Sequence, residues 1–239
     1  MQARDIDYRC EGVNLRGYLA LDDNATGPRP GVLVFHEGLG LGEFAMERAR
    51  RLAGLGYVAL AADMFGDRRQ ASNLQEVATL VGGLRAEPEK LRARGRAALA
   101  VLAAMPQVDA GRVAAIGFCF GGSVVLELAR EGADLKAVVS FHGVLATKMP
   151  AQPGRVKASV LVCTGVDDPL APPEQVADFE NEMRAGGVKD WQVIAYGNTL
   201  HGFTNPAADG SMMRTALYNE QADRRSGASM RSLFDEVLT

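Results

Sequence analysis

Short apolar runs recur along the chain, each bounded by turn residues and separated from the next by a helical pattern. They lie at 31–35 (GVLVF), 56–64 (GYVALAADM), 112–118 (RVAAIGF), 135–141 (LKAVVSF), 159–164 (SVLVCT) and 191–196 (WQVIAY). Nearly continuous apolarity over so few residues suits parallel strands buried on both faces. Helical spacing fills the intervals at 43–55, 72–84, 88–105, 122–131, 173–185 and, finally, near 211–238. Strand–helix–strand repetition of this kind requires a mostly parallel central sheet flanked by helices on both faces. The segment 5–21 alternates weakly and reads as an antiparallel N-terminal edge. The longest polar stretch, 22–30, is too short for a domain linker and reads as a loop. The expectation is one α/β domain over residues 1–239.

Composition narrows the function classes. Lys and Arg total 26 against 29 Asp and Glu, and no basic block stands out, which argues against a nucleic-acid binder. No apolar stretch approaches the roughly 18 residues that span a membrane. The N-terminal MQARDIDYRCEG lacks the apolar core of a secretory signal. Three cysteines without Cys-x-x-Cys spacing fit neither a disulfide framework nor a zinc site. A reducing, cytoplasmic setting is therefore expected, with no metal and no cofactor.

The most informative segment is Gly117-Phe118-Cys119-Phe120-Gly121-Gly122, which follows an expected strand and opens an expected helix. It is a Gly-x-nucleophile-x-Gly pattern with cysteine at its centre. A nucleophile on a sharp strand-to-helix turn takes a strained backbone, and the glycines remove side chains that would collide there. The Phe120 amide lies at the helix start, where it can donate to a developing oxyanion. A buried structural cysteine beside a glycine-rich turn is the plainer reading.

A thiol of ordinary pKa is mostly protonated at neutral pH, so it needs a base. The histidines are His36, His142 and His201. Where this elbow occurs, the triad runs nucleophile, acid, histidine along the chain, and only His201 lies late enough. His36 and His142 read as strand-end histidines bonded to neighbouring loops. The acid belongs at the exit of the strand ending near Gly165. Two aspartates compete there: Asp168, favoured because it stands three residues past Gly165, and Asp167, which reads as a loop cap.

On these residues the chain resembles the dienelactone hydrolase (carboxymethylenebutenolidase) family of α/β-hydrolases. The matching segments are 117–122, 165–172, His201-Gly202-Phe203 and Phe35-His36-Glu37-Gly38. The resemblance implies an α/β-hydrolase fold, a Cys119–His201–Asp168 triad and hydrolysis of a small ester or lactone through an acyl-enzyme. It also implies that Glu37 helps deprotonate the cysteine when substrate binds, and that Gly38 gives the second oxyanion N–H. Family members that act on the carboxylated lactone hold its carboxylate with two arginines. One lies four residues past the histidine, where this chain has Asn205. The other lies in the segment after the strand ending at Asp63, where Arg68 and Arg69 fall. Asparagine cannot replace that charge, so only a weak preference for carboxylated lactones is expected.

Other signals fail. Gly38-Leu39-Gly40-Leu41-Gly42 lacks the spacing of a dinucleotide loop and reads as a flexible oxyanion loop. The charged stretch 85–96 reads as a solvated helix face. Two other functions compete with the enzyme: a non-catalytic module binding a small ligand or protein, and a thiol redox sensor pairing Cys119 with Cys163. A complete triad with elbow glycines has little reason to exist in a pure binder.

Overall fold

The computed structural model describes residues 1–23 and 26–239. Part of the expected 22–30 loop, residues 24 and 25, lies outside the described residues. The antiparallel edge is a hairpin of β1 (Gln2–Cys10) and β2 (Val13–Leu21). The parallel strands are β3 (Arg29–Phe35), β4 (Val58–Ala62), β5 (Val108–Phe118), β6 (Ala137–Phe141), β7 (Ser159–Gly165) and β8 (Trp191–Tyr196). They form one eight-stranded sheet in the order β1-β2-β4-β3-β5-β6-β7-β8. The hairpin joins it antiparallel through β2 and β4, and every later pairing is parallel. This is the mostly parallel sheet expected of the α/β-hydrolase fold.

Apolarity on both strand faces is what the two helical layers cover. Every residue of β4 and β6 is buried. Helices α1 (Glu43–Gly54) and α6 (Glu220–Val237) pack on one face through Ala45, Ala49, Leu52, Met230 and Phe234. Helices α3 (Pro88–Ala103), α4 (Phe120–Glu131) and α5 (Pro173–Ala185) cover the other through Leu91, Leu102, Val125, Leu128 and Phe179. Helix α2 (Leu74–Ala86) buries only Leu84 and leaves its remaining apolar side chains partly accessible.

Two expectations are corrected. The last helix begins at Glu220, where Asn219 caps it by accepting from the Ala222 N–H. Residues 211–219 instead form a loop pinned to the strand end by bridges His201–Ala216 and Asp209–Leu217. The stretch 85–96 is not a solvated face, because Arg92 and Arg94 are buried. Arg92 meets Glu127 at 2.7 Å, Glu127 meets Arg130 at 3.0 Å, and Arg130 meets Glu182 at 2.8 Å. That ionic chain links α3, α4 and α5, and it is satisfied at each step as buried charges must be. Among the described residues, no helix is long and apolar enough to cross a membrane.

Candidate active site

Only Cys119 separates β5 from α4, and its backbone sits at φ 53° and ψ −111°. A non-glycine residue rarely adopts this conformation, and it persists only where the surroundings enforce it. The flanking glycines do so. A Cβ on Gly117 would lie 1.9 Å from the Gly121 carbonyl oxygen, and one on Gly121 would lie 2.2 Å from that of Phe35. The sulfur is thus held at the carboxyl edge of the sheet, over the first turn of α4. Within that turn the Phe120 N–H is directed away from the helix's own bonding pattern, as the first N–H groups of a helix are.

Behind the elbow, the loop after β8 brings in His201, and the loop after β7 brings in Asp168. His201 Nδ1 lies 2.8 Å from Asp168 Oδ2, with both side chains almost fully buried. The other carboxylate oxygen, Oδ1, accepts from the Leu170 N–H at 2.8 Å, which fixes its orientation. His201 Nε2 is buried and has no partner other than the Cys119 thiol, which it faces. Burial alone lowers the imidazole's pKa; Cys119 and Asp168 reverse this and push it up to about 10. Asp167 is exposed, and its N–H bonds the Thr199 carbonyl rather than its side chain capping the loop.

Glu37 follows β3 and keeps slight exposure toward the same cavity. Its Oε2 accepts from Asn205 Nδ2 at 2.9 Å, and Asn205 Oδ1 accepts from the Ala207 N–H. Asn205 is therefore committed to holding Glu37. Burial pushes the Glu37 carboxyl up to about 7, with Asn205, His201 and Arg48 opposing. The folded state then holds a proton that the unfolded chain has lost between about pH 4.5 and 7. Stability falls as pH rises through that window, by at most roughly 3 kcal/mol from this group. Chemical denaturation at pH 4.5 and 8 should show Glu37→Gln gaining stability relative to wild type at the higher pH. An unchanged difference between the two pH values would contradict the assignment.

The glycines at 38–42 form a packed turn rather than a flexible loop. Gly40 has φ +99°, and a Cβ there would lie 2.4 Å from the Arg69 carbonyl oxygen. Gly38 lines the cavity, where a Cβ would press on Val77 at 2.8 Å. His36 is held on both ring nitrogens: Nδ1 donates to the Glu37 carbonyl and Nε2 accepts from the Met64 N–H.

Glu37, Gly38, Cys119, Phe120, His201 and Asn205 all open onto one cavity of about 430 Å³. Its walls are apolar: Leu74, Val77 and Val81 from α2, Leu170, and Met212 and Met213 from the loop before α6. Leu74, Leu170 and Met212 stand among the exposed large apolar side chains, at its mouth.

The expected arginines are not there. Arg68 turns toward the N-terminal hairpin, donating to Asp5 Oδ1 at 2.6 Å and to the Gly17 carbonyl. Asp63, which accepts from the N–H groups of Phe65, Gly66 and Arg68, folds the segment that way. Arg69 is exposed and does not line the cavity. The arginine that does is Arg85 at the end of α2. Among the described residues, no hydrogen bond or ion pair holds its guanidinium; burial lowers its pKa, and the Cys119 and Glu127 charges oppose this. Its signal was present in the sequence, because Val77, Val81 and Arg85 continue one helical stripe at i, i+4 and i+8.

The redox alternative loses support. Strand β6 lies between the strand leading to Cys119 and the strand carrying Cys163, whose partner in the ladder is Phe141. Cys163 is fully buried beneath the Tyr196 hydroxyl.

Comparison with known proteins places this arrangement. A solved protein designated m3DLH is 47% identical, with a TM-score of 0.96 and coverage of 100% of this chain and 99% of that one. A dienelactone hydrolase-like promiscuous phosphotriesterase from metagenomic libraries is 45% identical, with a TM-score of 0.95 and the same coverage. A candidate carboxymethylenebutenolidase of Yersinia pestis is 31% identical over 205 residues, spanning 81% of this chain and 75% of its own. Residues 15–238 match the description of the dienelactone hydrolase family, and the chain belongs to that family.

Proposed function

We propose that the protein hydrolyses small, largely apolar esters or lactones with Cys119 as nucleophile. One observation carries the reading: a strained cysteine elbow faces a histidine whose Nδ1 is fixed by a buried aspartate and whose Nε2 is left to the thiol alone. His201, its pKa pushed up to about 10, takes the thiol proton at Nε2 ahead of attack, and Sγ adds to the carbonyl carbon as the thiolate. The N–H groups of Phe120 and Gly38 receive the oxyanion. Collapse expels the alkoxide, which takes the proton from His201 and leaves a thioester on Cys119. Water then attacks the thioester, with His201 as base, and releases the carboxylic acid. Glu37 offers a second proton acceptor in the same cavity, and its pKa near 7 suits a group that gains and loses a proton during turnover.

The walls define the substrate class. Apolar side chains from α2 and from the loop before α6 line the cavity together with one arginine, Arg85. One partly exposed guanidinium contributes roughly 0–1 kcal/mol toward a carboxylate. Turnover of p-nitrophenyl acetate and of a dienelactone with its methyl ester tests this. The free acid should be preferred about tenfold or less in kcat/KM. Arg85→Gln should remove that preference and leave the methyl ester unaffected. No turnover across the panel would refute the hydrolase reading, and a thousandfold preference for the acid would refute a site with Arg85 as its one arginine.

A second reading, cleavage of neutral phosphotriesters at the same sulfur, is favoured by the 45% identity to the promiscuous phosphotriesterase. A neutral triester meets the same apolar walls without requiring a counter-charge.

A further inference from the structure

His142 lies directly after β6 with a positive φ of 41° and no solvent exposure. Its own N–H bonds the Cys163 carbonyl of β7 at 2.8 Å, which locks the strained backbone in place. The ring is aimed at the elbow. Nδ1 lies 3.1 Å from the Cys119 amide nitrogen, which also reaches the Phe141 carbonyl at 3.0 Å. Nδ1 therefore accepts, and only one tautomer allows this. In that tautomer Nε2–H donates to Thr204 Oγ1 at 2.8 Å. The ring also meets His201 edge-on, with centroids 5.1 Å apart at 71°.

We propose that His142 is a positioning residue that acts through both reacting side chains: as a neutral imidazole it accepts the Cys119 N–H and braces the ring of His201. This rests on the Cys119–His201 reading above. The strained Cys119 shares its one N–H between the Phe141 carbonyl and this ring. The acceptor at Nδ1 supplies the second fixed point. The edge-on contact keeps the His201 ring from swinging away from the sulfur about its bond to Asp168. Burial and the charges of His201 and Arg48 hold the His142 imidazole well below its ordinary pKa, in keeping with a neutral acceptor.

The test uses two variants of the full chain. His142→Phe keeps a buried ring and removes the acceptor. His142→Asn places an amide oxygen where Nδ1 stood. His142→Phe should lower kcat about 10- to 100-fold with KM little changed, the effect of misplacing reacting groups by about an ångström. His142→Asn should recover most of that loss. Thermal midpoints measured alongside show whether either variant is merely less stable. Equal losses in both variants, or none in either, would overturn the positioning role. Full turnover by Cys119→Ala would instead overturn the nucleophile reading, whatever the His142 variants do.

Discussion

Cys119→Ala should lower kcat/KM for an activated ester by a factor of about 10⁴ or more, the scale seen when a triad nucleophile is removed. The expectation follows from the geometry of the three thiols. Cys163 is fully buried, and burial pushes its thiol up to about 12. Burial also raises the Cys10 thiol, at the end of β1 and far along the sheet from the cavity. Cys119 alone among the three opens onto the cavity that holds His201. Iodoacetamide should therefore modify Cys119 before the other two, with activity lost in step as read by peptide mass spectrometry. Preferential labelling of Cys10 with activity intact would sink the assignment, as would a fully active alanine variant.

Asp168→Asn is the second large effect, a loss of about 10⁴ in kcat by analogy with other triads. The carboxylate accepts from His201 Nδ1–H and leaves Nε2 free to take the thiol proton. An amide in its place donates to Nδ1, forces the proton onto Nε2 and removes the base. The Leu170 N–H, which now orients Oδ1, would turn the amide oxygen toward itself and its NH2 group toward the imidazole. Asp167→Asn, one residue away and exposed, should leave kcat within about twofold, as surface changes usually do. A crippled Asp167→Asn beside an active Asp168→Asn would reverse the assignment.

The parts of this site legible in the sequence are the local ones. The Gly117–Gly122 turn carries its own steric logic, because at Gly117 and Gly121 another stretch of backbone lies within 2.2 Å of the place a Cβ would take. Asp168 and His201 could be placed because both follow parallel strands, whose carboxyl ends share one edge of the sheet. What escaped depends on contacts between distant segments. Asn205 lies 168 residues from the Glu37 carboxylate it holds, and that pairing has no periodicity to reveal it. His142 read correctly as a strand-end histidine, but its particular partners, on the elbow and in the segment after β8, lie too far along the chain to be read from spacing. Arg68 misled because it lies in the right interval after β4. The turn around Asp63, with Asp67 and Arg68 at positive φ, carries its side chain to the N-terminal hairpin. The 211–219 segment has helical spacing, yet the bridges to His201 and Asp209 and the Asn219 cap delay the helix to Glu220.

The proposed reacting groups and the walls around them come from different parts of the chain. Cys119, Asp168 and His201 follow strand ends locked by backbone contacts too close for a single added methyl group at Gly117, Gly121 or Gly165. The surfaces that would meet a substrate hang instead from α2, which buries little, and from the loop ahead of α6. A lineage carrying this scaffold can thus exchange Leu74, Val77, Val81, Met212 or Met213 and acquire a different diet while its chemistry stays as it was.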